Sequence, residues 1–181
     1  MNSRKQNLKW YGGGLLGLLI LVFLDQWTKH LAVIHLKNQP DIEIIPGVFQ
    51  LHYLENRGAA FGILQNQQWI FILLCFFFLF LITWLYLRLP RQKYYLPLAV
   101  LSVGISAGAI GNLIDRIRLN YVVDFLYASF INFPVFNVAD IYVTVSVILL
   151  VIFILFFYKD DEDFSFLKKD GKKDGNVSSS N

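Results

Sequence analysis

Apolar residues gather into four runs along this chain, over about residues 11–34, 69–87, 96–116 and 139–158. Each is close to the roughly 20 residues that cross about 30 Å of hydrocarbon as a helix. The first run follows a polar, basic start at Arg4, Lys5 and Lys9, the flank of a secretory signal peptide. No small-x-small cleavage site comes after it, and the helix pattern continues through Asp25-Gln26-Trp27-Thr28-Lys29, so a retained span is expected. The second run has no charge and carries Trp69, Trp84 and Tyr86 at its ends, like an aromatic belt, which suits a lipid-facing helix. The third contains Ser102, Gly104, Ser106, Ala107, Gly108 and Gly111. Gly104 and Gly108 form a GxxxG pair that allows close helix packing, so this helix is expected at the centre of a bundle.

The polar interval over 36–68 differs. Between Ile42 and Leu54, β-branched and aromatic residues alternate loosely around Pro46-Gly47. Phe49, Leu51 and Tyr53 would face one way, and Gln50 and His52 the other. Asn56-Arg57-Gly58 is a turn signal, and Ala59-Ala60-Phe61-Gly62 offers small side chains for a close backbone approach. The pattern predicts an α-helical integral membrane protein with four transmembrane helices and a small extracytoplasmic antiparallel β-sheet, the surface β region covering about 42–64. Residues 117–136 read as a loop. Residues 1–159 form one membrane domain, and 160–181, rich in Lys, Asp, Gly and Ser, read as a disordered cytoplasmic tail.

Composition agrees: 56% of the chain is hydrophobic, above the usual share for a soluble domain. Net charge is only +3 and forms no basic stripe, so nucleic acid is not an expected partner. One cysteine, Cys75, permits no intrachain disulfide. His30, His35 and His52 lie in no metal-ligand spacing and read as interfacial or solvated side chains. Lys and Arg set the orientation. With both termini inside, the inner segments hold Arg4, Lys5, Lys9, Arg88, Arg91, Lys93, Lys159 and four later lysines. The outer side then holds Lys29, Lys37, Arg57, Arg116 and Arg118. The positive-inside rule therefore places both termini in the cytoplasm.

Candidate chemistry falls between the last two spans. Asp124 and Asp140 stand at the same side of the membrane, where a carboxylate is costly unless paired or functional. If the loop containing Pro134 brings them within about 3 Å, they would share one proton and titrate as a pair. One would take a proton from water and the other would protonate a scissile carbonyl. Asn137, one turn before Asp140, is placed to orient it. Asn112 and Arg116, one turn apart, are placed to hold substrate backbone or a developing oxyanion. Other readings remain open. Asp140 fits a plain helix cap, and Asp25 and Lys29, also one turn apart, fit a self-neutralising ion pair as well as a place in the site. A small transporter with Asp25, Lys29, Asn112 and Arg116 along a polar path is the rival class; it would need ionisable groups in the second and fourth spans.

Five motifs in order, Asp25-Gln-x-x-Lys29, Glu55-Asn56-x-Gly58-Ala59-Ala60-Phe61-Gly62, Gly108-Ala-x-Gly111-Asn112-x-x-Asp115-Arg116, Val123-Asp124-Phe125 and Phe136-Asn137-x-Ala139-Asp140, resemble those of the bacterial lipoprotein signal peptidases, or signal peptidase II. The resemblance covers about residues 15–158. It implies a membrane-embedded aspartic endopeptidase of the bacterial inner membrane. The implied substrate is a diacylglyceryl prolipoprotein, cut just before the modified cysteine. Asp124 and Asp140 would be the catalytic pair. Asp25, Lys29, Asn56, Gly58, Asn112, Arg116, Asn137 and Ala139 would line or support the site. Membrane lipid and a globomycin-type inhibitor are implied as well, with no metal or cofactor; a monomer is expected, though the sequence itself does not reveal the oligomeric state.

Overall fold

The computed structural model describes residues 3–58 and 67–167. The Ala59–Gly62 segment and the part of the expected tail beyond Leu167 lie outside the described residues.

Four helices, α1 (Ser3–Leu36), α2 (Gln68–Arg88), α3 (Leu96–Leu119) and α4 (Val138–Phe156), and three strands, β1 (Ile42–Ile45), β2 (Phe49–Asn56) and β3 (Val122–Ala128), make up the fold. All four helices are long and apolar enough to cross a membrane. α1 starts earlier than its apolar run because Gln, Leu and Lys, good helix formers, extend it through the polar start. α3 is central, packed against α1, α2 and α4. Its small residues explain why. A Cβ at Gly104 would meet the Ser146 hydroxyl, one at Gly108 the Ala139 carbonyl, and one at Gly111 the Asp25 carboxylate. α2, apolar all round, buries no residue and lies at the edge of the bundle.

The strands form one antiparallel sheet in the order β1-β2-β3, at the end of the bundle where α1 finishes. Leu51 and Tyr53 turn onto a small core of Ala32, Leu36, Val123 and Phe125. On the rim of the sheet, His52 Nδ1 lies 2.8 Å from Asp41.

Two segments differ from the sequence reading. The interval 117–136 is not only loop. α3 runs on to Leu119 and is ended by Asn120 in a left-handed conformation at φ 62°. β3 follows at once and pairs with β2, a long-range contact that no local pattern announces. Secondly, Asp161–Leu167 forms a 3-10 helix where a tail was expected. Phe164 and Phe166 supply the reason: both pack on the Leu89, Tyr95, Leu98, Ala99 and Tyr158 cluster at the opposite end of the bundle.

Candidate active site

A strand and a helix start bring Asp124 and Asp140 to one place. β3 carries Asp124 opposite Leu54 of β2. The chain then turns through Ser129–Ile131, with Asn132 at φ 48°, and returns beside β3. Phe136 N donates to the Leu126 carbonyl (2.9 Å), and the Phe136 carbonyl accepts from Leu126 N (2.8 Å) and Phe125 N (3.0 Å). That bridge sets Asn137 and the first turn of α4 next to Asp124.

Asn137 ties the two carboxylates together. It is the N-cap of α4 and forms a capping box with Asp140. Asn137 N donates to Asp140 Oδ2 (3.0 Å) and Asp140 N donates back to Asn137 Oδ1 (3.0 Å). The Asn137 amide Nδ2 donates to Asp124 Oδ1 at 2.7 Å and to Asn112 Oδ1 at 3.0 Å. Asn56 Nδ2 donates to Asp124 Oδ2 (2.8 Å), and Asn112 Nδ2 to Asp140 Oδ1 (2.8 Å). Asp140 is thus the N3 member of the capping box, with Asn137 as the cap, and the box is what fixes its orientation.

Below this layer lies a buried ionic cluster. Lys29 Nζ contacts Asp25 Oδ2 and Asp115 Oδ2, each at 3.0 Å, and donates to Asn112 Oδ1 at 2.8 Å. Asp25 and Lys29 are 0% and 3% exposed. Asp25 Oδ1 accepts from Ala139 N (2.9 Å), so α1 holds the start of α4 directly. The local ion pair read from the sequence exists, but it is one part of a wider network. Removing either sign would leave a buried charge uncompensated, which is strongly destabilising.

Asp124, Asp140, Asn56, Gly58 and Arg116 share a cleft of about 540 Å³. Its other wall is apolar, with Phe133, Phe136, Ile141 and Val145. Gly58 N donates to Asn56 Oδ1 (3.0 Å), which aims the Asn56 amide at Asp124. Arg116 Nη1 donates to the Asn112 carbonyl (3.3 Å), and its guanidinium lies 4.8 Å over the Phe71 ring. Arg116 lines the cleft, and among the described residues its Nε is buried without a partner. Asp124, 2% exposed, has its carboxyl pushed up to about 7. Burial is the main cause and the Asp140 charge the next; the Asn56 and Asn137 hydrogen bonds and the Lys29 charge oppose it.

Ten residues singled out in the sequence therefore meet at one end of the bundle. Two more belong with them. Asp115 Oδ2 accepts from Val123 N (3.2 Å) as well as from Lys29, fixing the strand residue next to Asp124. Gln26 Nε2 reaches Asp115 Oδ1 (3.0 Å), the Gly111 carbonyl (3.1 Å) and Asp25 Oδ2 (3.2 Å). Both stand inside the quoted motifs. Asp115 carried a signal of its own, a carboxylate near the end of a membrane span.

The family model for signal peptidase (SPase) II matches residues 17–156. The chain belongs to the signal peptidase II family. Among its relatives, a lipoprotein signal peptidase of Streptococcus thermophilus (strain CNRZ 1066) is 44% identical over 135 residues, 75% of this chain and 87% of the relative. One from Streptococcus pyogenes serotype M5 (strain Manfredo) is 44% identical over 138 residues, 76% and 90% of the two chains. Two solved bacterial membrane enzyme structures, both obtained by the in meso method, share the fold. One, at 2.3 Å resolution, aligns with TM-score 0.72 and 29% identity over 89% of this chain and 94% of that one. The other, at 1.9 Å, gives 0.69 and 31% over 81% and 94%. This signal peptidase II is an aspartic peptidase of a multi-pass membrane fold.

Proposed function

We propose that this enzyme removes the signal peptide of a diacylglyceryl prolipoprotein by cutting just before the modified cysteine, with Asp124 and Asp140 as its acid–base pair. The observation that carries the assignment is that both carboxylates open into one cleft and are linked through Asn137. Asp124, with its raised carboxyl, holds the shared proton and donates it to the scissile carbonyl oxygen. Asp140 lies in the first turn of α4, where free N–H groups favour negative charge, and it takes a proton from the attacking water. As the C–N bond breaks, Asp140 gives its proton to the leaving amine and Asp124 takes one back from a hydroxyl of the hydrated carbonyl as C=O re-forms, which resets the pair. Arg116 directs its unused donor at the substrate backbone, and Asn56, Gly58, Asn112 and Asn137 hold the carboxylates. Asp25, Lys29 and Ala139 hold α4. Phe133, Phe136, Ile141 and Val145 receive apolar side chains or acyl chain, and a globomycin-type inhibitor would block the same cleft.

Basic residues support both termini in the cytoplasm and the aspartates at the outer face. A substrate whose acyl chains stay in the bilayer presents its scissile bond at that depth. The test is turnover of a lipidated prolipoprotein by wild type, Asp124→Asn, Asp140→Asn and the double variant. Each single change is expected to lower the rate by at least about a hundredfold, and the double scarcely further, because the pair acts as a unit. Binding of substrate should persist. A single variant that keeps more than about a tenth of the rate removes that residue from the chemistry.

A further inference from the structure

A second groove, of about 720 Å³, lies at the end of the bundle away from the aspartates. Lys9, at its mouth, precedes Asp25 by sixteen residues of α1, about 24 Å along the helix axis. Gly13, Gly17 and Leu21 of α1 form one wall; Leu96, Val100 and Val103 of α3 form the other. A Cβ at Gly13 would meet nothing within 4 Å, so the helix leaves real space there. Leu96 and Val100 are 49% and 58% exposed in a membrane-spanning helix, which opens the groove sideways to acyl chains.

The mouth has the opposite character. Lys9, Arg91 and Lys93 line it beside the amides of Gln6 and Gln92, with no carboxylate among the described lining residues. Among the described residues none of the three cations is in an ion pair. Arg91 is held in place. Its guanidinium donates to the Tyr11 hydroxyl and lies 5.1 Å over that ring, and its carbonyl accepts from Gln6 Nε2 at 2.6 Å. Yet, among the described residues, Arg91 Nε and Trp10 Nε1 are buried donors with no partner. Buried donors are normally satisfied. Here two orphans stand beside two free ammonium groups, over an apolar trough.

We propose that this groove binds one anionic phospholipid, its phosphate held by Lys9, Arg91 and Lys93 and an acyl chain lying along the Gly13–Gly17 wall. The juxtaposition favours a lipid over a soluble anion because most of the lining is apolar and faces the bilayer. It favours an anionic head over a zwitterionic one because three cations, Lys9, Arg91 and Lys93, converge on the mouth. The site is separate from the aspartates and stands whether or not they are the catalytic pair.

The full-length protein, released from neutral detergent, would be titrated by native mass spectrometry with phosphatidylglycerol and with phosphatidylcholine of the same chains. One phosphatidylglycerol should be retained with at least about tenfold preference, and raised salt should weaken it. Lys9→Gln with Lys93→Gln should lower that affinity about twenty-five-fold, since each cation near the surface is worth about fivefold. Gly13→Trp, which fills the trough, should abolish retention. Both variants should cleave a lipidated prolipoprotein in neutral micelles at the wild-type rate, which also reports that they fold. If Gly13→Trp does not fold, the exposed double lysine variant decides alone. Equal retention of the two lipids, or phosphatidylglycerol retention unchanged in the lysine variant, overturns the proposal.

Discussion

Asp124 is the residue whose environment can be read out most directly. Its carboxyl is raised from 3.8 to about 7, chiefly by burial and then by Asp140. A raised carboxyl keeps its proton in the folded protein at pH values where the unfolded chain has lost it. The stability it contributes is therefore complete below about pH 4 and is lost as pH rises through about 7. Asp124→Asn removes the dependence. Its melting temperature should exceed that of wild type at pH 8, and the gap should close on acidification to pH 4; a gap independent of pH would detach Asp124 from this titration. Cleavage by wild type should decline over the same alkaline range, as the acid loses its proton. Arg116 makes a different demand. Lysine retains the charge but not the planar group that stacks on Phe71 and donates to Asn112. Arg116→Lys should melt close to wild type and lose activity at least about tenfold, since one well-placed donor to developing charge is worth that or more. Near-normal turnover would show that charge alone suffices.

At the scale of elements, the decisive contact is α3 against α4. A Cβ at Gly108 would fall on the Ala139 carbonyl and 2.6 Å from Val143 Cγ2. Gly108→Ala must push α4 outward, and Ala139 and Asp140 move with it. Loss of both stability and cleavage is expected. Gly12→Ala meets nothing within 4 Å and is its control; it should melt at or slightly above wild type, because alanine is the better helix former. If Gly108→Ala behaved like Gly12→Ala, the close packing would be tolerant rather than required. The helices were legible in the sequence because length and apolarity act within one segment. Gly104 and Gly108 even marked which helix is central. β3 was not legible, since Val122–Ala128 becomes a strand only by pairing with β2 and bridging to Phe136. That same bridge joins Asp124 to Asp140, so the residue types of the site could be named in advance while the link between them could not. Asp115 escaped for a related reason: Lys29 already had a partner one turn away, and only the tertiary fold shows that it takes a second.

The described residues form a bundle with the linked carboxylates at one end and a basic mouth at the other, and its orientation can be measured. In a Cys75→Ala background, a cysteine at Gln39, beside the sheet, should react with a membrane-impermeant reagent applied to intact cells. One at Gln92, between α2 and α3, should react only with a permeant reagent. The reverse pattern would invert the topology. The ionic cluster beneath the aspartates also carries a consequence for the order in which the protein is made. α1 leaves the ribosome first, and Asp25 and Lys29 neutralise each other within it, so it can enter the bilayer unaided. Asp115 arrives only with α3, and the N–H of Ala139 that completes Asp25 only with α4. The cluster is thus assembled in the sequence of synthesis. A chain stalled before α4 leaves Asp25 Oδ1 without the backbone donor that the finished protein supplies.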